Sequence, residues 1–250
     1  MTPELTAASA AWPVYELDIA WSTDRKTLRR ARDLELSGWA FYVAGRGGVL
    51  GDDVRPETVS AALGVIAPDA VRAGWLAARK VGPATVAATR LAECARWGDE
   101  WLTGVEGIDR LQILAERVIL AADAVAMPLF AATRAMPVPD GGVGGRAAIL
   151  THLLRELRSG AMLVAARACG LTPVETIVAG PEGEKEALSF GWRPPFPPRA
   201  RLMRRFAYAD ALADRIVGQA YLKLTAAERA EMLSCLKAAS SAASRPDLAP

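Results

Sequence analysis

The sequence predicts an all-α protein: a multi-helix, bundle-like N-terminal body followed by a smaller helical C-terminal part. Three observations carry this. Hydrophobic residues make up 52% of the 250, and the apolar excess is mostly alanine, the residue with the strongest helix preference. Prolines recur where helices would begin, at Pro56, Pro68, Pro83 and Pro173, because their fixed φ suits the first helical turn. Sustained apolar–polar alternation, the mark of a half-buried strand, is absent apart from short pieces near 186–193.

The elements follow in order. Residues 1–22 form an aromatic arm, with Trp12, Tyr15 and Trp21, that should pack on the body. From Thr23 an amphipathic helix sets Leu28, Leu34, Leu36, Trp39, Tyr42 and Val43 against a basic face of Arg25, Lys26, Arg29, Arg30 and Arg32. Gly45–Gly48 should stop it. Helices are expected near 57–66, 69–81 and 84–103, and from about 107 until Pro128 kinks or breaks the chain. Pro137–Gly142 reads as a linker, with Gly144 and Gly145 extending its mobility. The next helix is expected from Arg146 to Arg158, to be interrupted at Ser159–Gly160 and to resume to Cys169. Thr172-Pro173-Val174-Glu175 and Thr225–Glu228 are capping boxes, each opening a helix. Pro194, Pro195, Pro197 and Pro198 form a stiff connector before a helix near 199–221. The expected divisions are 1–136 as body, 137–192 as a helical segment packed on it, 193–239 as C-terminal helices, and 240–250 as a disordered tail.

Composition excludes several function classes. A net charge of +2 does not by itself argue for a polyanionic partner. No window approaches the ~18 apolar residues that span a bilayer, and Glu4 stands where a signal peptide would be basic. Three widely spaced cysteines, Cys94, Cys169 and Cys235, read as buried free thiols, and a cytoplasmic location is expected. With one histidine and no Cys-x-x-Cys, no zinc or non-haem iron site of the common kinds is expected, and no cofactor. Gly141–Gly145 lacks the preceding strand that a dinucleotide loop needs.

Two segments carry chemistry. In Gly45-Arg46-Gly47-Gly48, glycines allow close backbone approach and Arg46 can pair bidentately with a carboxylate or phosphate, or satisfy terminal carbonyls as a C-cap. His152 has Glu156 one turn later, the arrangement of a base held by a carboxylate and equally of a satisfied structural histidine. A helix-turn-helix reading of 161–179 places Ala166 four residues before Gly170, but its second helix carries Glu175 and no Arg or Lys. Arg199, Arg201, Arg204 and Arg205 make a better phosphate footprint.

The runs Gly38-Trp39-Ala40-Phe41-Tyr42-Val43-Ala44-Gly45-Arg46, Leu50-Gly51, Ala67-Pro68, Met127-Pro128-Leu129-Phe130-Ala131-Ala132, Pro137-x-Pro139, Leu154-Arg155-Glu156 and Gly191-Trp192 occur in order across 35–192. Together they resemble an actinobacterial family of helical proteins labelled helix-turn-helix. The chain departs from that pattern at Val49, where the family has proline. It departs again at Leu157–Met162, where the family reads His-Arg-Gly-Asp-x-His. The resemblance implies a winged-helix-like end after Trp192; the proline connector makes that end degenerate.

These readings converge on a small-molecule-binding helical protein, expected to be a metal-free enzyme of the cyclase or isomerase type in specialised metabolism, with a ligand-responsive DNA-binding regulator as the alternative. His152 and Glu156 are the expected catalytic pair. Trp39, Tyr42, Arg46, Arg155 and Met162 are the expected ligand contacts. Expected partners are a small molecule and a second copy of the chain; DNA is less favoured, and no membrane is expected.

Overall fold

The computed structural model describes residues 1–244, which hold thirteen α-helices and no strand. Thr2 caps α1 (Pro3–Ser22), so the aromatic arm is itself a helix, with Ala7, Ala10, Val14, Leu17 and Trp21 buried. The helix expected from Thr23 is two. α2 (Arg25–Asp33) starts on the Asp24 cap and stops before Glu35, whose φ of 59° is left-handed. α3 (Gly38–Gly47) starts on the Ser37 cap. Gly45 and Gly47 are buried within α3, and the stop comes at a 3-10 turn, Gly48–Leu50.

Prolines open α4 (Pro56–Leu63), α5 (Pro68–Ala77) and α6 (Pro83–Trp101), as expected. α7 (Ile108–Ala121) ends well before Pro128, which begins α8 (Pro128–Arg134) and so neither kinks nor breaks a helix. α9 (Val143–Ala168) runs without interruption through Ser159–Gly160. Gly160 serves close packing, since a Cβ there would lie 2.8 Å from Met127 Cγ. Both capping boxes form, opening α10 (Pro173–Ala179) and α13 (Ala226–Ala243). Thr225→Ala removes the acceptor for the Glu228 amide and should lower the denaturation midpoint by about 1 kcal/mol of stability. The segment read as short strand pieces is α11 (Glu184–Ser189) and a turn, and α12 (Arg199–Tyr221) follows the connector. α13 continues through Ala243, beyond the expected start of a tail at 240; residues 245–250 of that tail lie outside the described residues.

α9 is the central helix, buried along much of its length and packed against α1, α6, α7 and α12. Its core takes residues from Ala7 to Ala239, so the Pro137–Gly142 segment does not separate two cores, and α12 and α13 pack on α1 as part of the main body. A second, smaller core lies mostly in the N-terminal third, with Val86 of α6 and Leu129 of α8 joining it. Ala31 of α2, Phe41 and Val43 of α3, Val59 and Leu63 of α4, and Val71 and Trp75 of α5 enclose one another. Among the described residues no single helix is long and apolar enough to cross a membrane.

Candidate functional site

A cavity of about 740 Å³ opens between the two cores. Its apolar wall includes Leu63, Val65, Met127, Leu129, Phe130, Met162, Leu163, Ile177, Phe190 and Phe206, and α1 contributes Trp12 and Tyr15. Tyr42, Arg46, Arg155 and Glu156 supply polar groups.

The floor is a buried ion pair between segments 110 residues apart. Arg46 Nε and Nη2 donate to the two Glu156 carboxylate oxygens at 2.7 and 2.8 Å, and Arg46 Nη1 donates to Tyr42 Oη at 3.1 Å. The Glu156 side chain is only 3% exposed. Burial pushes its carboxyl up, but the Arg46 guanidinium, through charge and hydrogen bonds, outweighs this and brings it down to about 2. Glu156 is therefore an anion held by Arg46.

That pairing changes the setting of His152. Its Nδ1–H donates to Asp18 Oδ1 of α1 at 2.8 Å, so its carboxylate partner is Asp18 and not Glu156 one turn away. Asp18 Oδ1 also accepts from Trp21 Nε1 at 3.2 Å, and the Trp21 ring stands edge-on to the imidazole. Burial would raise the Asp18 carboxyl; the hydrogen bond and charge of His152, with Arg90 and Arg155, hold it well below the ordinary carboxylate range. His152 is 5% exposed and faces a slit of about 10 Å³, room for one water and no ligand.

Arg90 of α6 completes the network. It is 3% exposed, lies 4.2 Å above the Trp21 ring and 5.6 Å from that of Tyr42, and has no carboxylate within ion-pair distance among the described residues. Burial lowers its pKa, with Asp18 and Glu156 opposing. Gly45 makes room for it: a Cβ at that position would overlap Arg90 Cδ.

On the cavity wall Arg155 differs from the other arginines. Arg46 is spent on Glu156, Arg158 on Asp210 and Asp214, and Arg167 donates to the Leu171 carbonyl. Arg155 donates only to Ser159 Oγ, lies 5.4 Å from the Tyr15 ring, and leaves its buried Nε unpartnered. Among the described residues no carboxylate lies within ion-pair distance of it. Glu186 stands in the same wall; burial raises its carboxyl, partly offset by Arg155.

Of the positions singled out from sequence, Tyr42, Arg46, Arg155, Glu156 and Met162 share this cavity. His152 does not line it. Neither does Trp39, which stacks behind Tyr42 at 5.8 Å and donates from Nε1 to the Ala70 carbonyl. Sequence reasoning missed Asp18 and Arg90. Each is a lone charge on the inward face of its helix, a signal that periodicity could have raised.

The helix-turn-helix reading of 161–179 also meets the structure. α9 and α10 do form two helices bent by 113° around a four-residue turn containing Gly170. Yet Thr176, Ile177, Val178 and Ala179 of α10 are buried, and Glu175 pairs with Arg205 at 3.1 Å, leaving little of α10 for a groove. A helix-turn-helix family model matches residues 8–196. No curated protein and no solved structure matches the chain. With that match running from within α1 into the proline connector, over well more than half of the chain, the chain belongs to the helix-turn-helix family.

Proposed function

We propose that the protein is a ligand-responsive DNA-binding regulator acting in the cytoplasm, whose cavity takes up a largely apolar organic molecule carrying one carboxylate. The observation that carries the reading is the cavity itself. Its volume falls in the range of small-molecule sites, and its wall is mostly apolar, with charged side chains of which Arg46, Glu156, Arg158 and Asp210 are paired with one another or with neighbours. Arg155, like Arg167, has no carboxylate within ion-pair distance among the described residues, and of the four cavity arginines it is the one that leaves a buried nitrogen unpartnered, so a ligand carboxylate can supply the partner the chain does not. Tyr15 and Trp12 offer aromatic surface beside it.

Acid–base catalysis by His152 and Glu156 draws no support from this arrangement. A general base must be free to take a proton within reach of a substrate. Glu156 is neutralised by Arg46, and His152 lies outside the cavity.

Two fluorescent probes sharing an aromatic skeleton test the site: neutral N-phenyl-1-naphthylamine and its sulfonated analogue, 1-anilinonaphthalene-8-sulfonate. Both should bind the protein. Arg155→Met keeps the packing of the stem and should weaken the sulfonate about tenfold, or ~1.4 kcal/mol, while leaving the neutral probe unchanged. Failure of both probes to bind removes the cavity reading, and equal loss of both in the variant removes the role of Arg155.

A further inference from the structure

We infer that DNA is contacted by the N-terminal unit α2–α5, with α4 and α5 as the groove-reading pair and the arginine face of α2 as the phosphate contact. This rests on the regulator reading above and locates its DNA surface.

Four observations lead there. First, α3, α4 and α5 share a small core, Phe41, Val43, Val59, Leu63, Val71 and Trp75, distinct from the larger core around α9 and closed from the body side by Val86 of α6 and Leu129 of α8. Such a unit can present two helices to a groove without dismantling the larger bundle. Second, α4 and α5 are joined by the four residues 64–67, beginning at Gly64 with φ of 72°, a left-handed turn that suits glycine. Unlike α10, α5 keeps an exposed face, Asp69, Arg72, Ala73, Leu76 and Ala77, on which Arg72 reaches Glu57 of α4 at 2.9 Å, while Val71, Gly74 and Trp75 are buried.

Third, positive charge is concentrated on α2, which packs against α3 of the same small core. Arg25, Arg29 and Arg32 stand at i, i+4 and i+7, so they share one face of α2, and Arg30 is exposed next to them. Among the described residues none of these four has a carboxylate within ion-pair distance. The face is fixed in place: Arg96 of α6 donates to Asp24 at 2.8 Å and to Thr27 Oγ1 at 3.3 Å from beneath α2. At the far end Lys80, three residues past α5, lies 3.7 Å from Glu35 in the α2–α3 turn, an exposed pair that brings the two segments near each other without fixing them. In a chain of net charge +2, four uncompensated arginines on one short element make a local field suited to a polyanion.

Fourth, the alternative basic face of α12, Arg199, Arg201 and Arg204, lies beyond residue 196, outside the segment matched by the helix-turn-helix family. The α2–α5 unit lies wholly within it. The placement also joins the two halves of the proposed function. Leu63 and Val65, on either side of Gly64, line the cavity, so a bound molecule rests directly against the turn of the DNA-reading pair.

The test uses the full chain and a labelled random-sequence duplex of about 30 base pairs, because phosphate contacts act on any sequence. The wild type should bind it at about 50 mM salt and weaken as salt rises. Arg25→Gln/Arg29→Gln/Arg32→Gln should lower affinity at least about tenfold and reduce the slope of log affinity against log salt by about 2 to 3. Arg199→Gln/Arg201→Gln/Arg204→Gln removes the same charge and should change neither. Ala73→Glu, on the exposed face of α5, should abolish binding with the helical circular dichroism unchanged. The reverse ranking of the two triple variants overturns the placement, as does equal loss in both. Loss of binding to anionic phospholipid vesicles with duplex binding intact would assign the arginine face to a membrane surface instead. A wild type that probes enter but no duplex binds overturns this placement and leaves the cavity standing.

Discussion

Replacing Glu156 by glutamine is expected to destabilise the protein by about 3 to 5 kcal/mol, read as a fall in the denaturant midpoint at unchanged slope. Glutamine has nearly the same shape, so the loss reports charge rather than packing. In the wild type the buried groups balance: Arg46 and Arg90 on one side, Glu156 and Asp18 on the other. Glutamine leaves Arg46 buried with no counter-charge, which is the costly half of breaking a buried pair. Arg46→Met together with Glu156→Met should recover most of the loss, because two apolar side chains of similar length carry no charge to desolvate. A double variant as unstable as the single would show that the pair acts through geometry that methionine cannot reproduce.

The same pair sets an acid limit. The Glu156 carboxyl lies at about 2 in the folded protein against 4.5 for the free group, so its contribution is complete above about 4.5 and is lost as pH falls toward 2. That shift corresponds to roughly 3 kcal/mol. Asp18, also depressed, adds in the same direction. Unfolding midpoints should fall steeply between about pH 4.5 and 2 in the wild type and more shallowly in the Arg46→Met/Glu156→Met protein.

The second large effect is expected at the crossing of α6 and α9. A methyl group at Gly98 would overlap the Gly144 carbonyl oxygen and lie 2.5 Å from Ala148 Cβ. Both obstacles sit on backbone or a rigid stub, so no side chain can rotate away, and the helices must part. Gly98→Ala should cost about 3 kcal/mol or more, although alanine is the better helix former by ~1 kcal/mol, because overpacking here outweighs propensity. An exposed control, Gly104→Ala, meets no atom within 4 Å and carries only the strain of its φ of 86°. Equal losses at the two sites would mean that backbone conformation, not helix approach, makes Gly98 necessary.

Much of the fold was legible because its signals are local. Proline at the first helical turn marked α4, α5, α6 and α10, and the two capping boxes marked α10 and α13, since each depends on atoms within four residues. The errors also have local causes. Glycine lowers helix preference, so Ser159–Gly160 reads as a break, yet Met127 pressing on Gly160 makes the small residue a packing device in a continuous helix. The left-handed Glu35 that divides α2 from α3 carries no turn residue to announce it.

For the candidate site, residue types could be read but partners could not. By itself the sequence determined an all-helical chain, the chemical capacity of Arg46 for a bidentate carboxylate, and the placing of His152 and Glu156 on one helix. Only the tertiary structure decided that Glu156 belongs to Arg46, that His152 belongs to Asp18, and that Arg155 is left without a carboxylate. Helical periodicity constrains neighbours three and four residues apart, whereas an ion pair spanning 110 residues is fixed by how α3 and α9 both pack against α6.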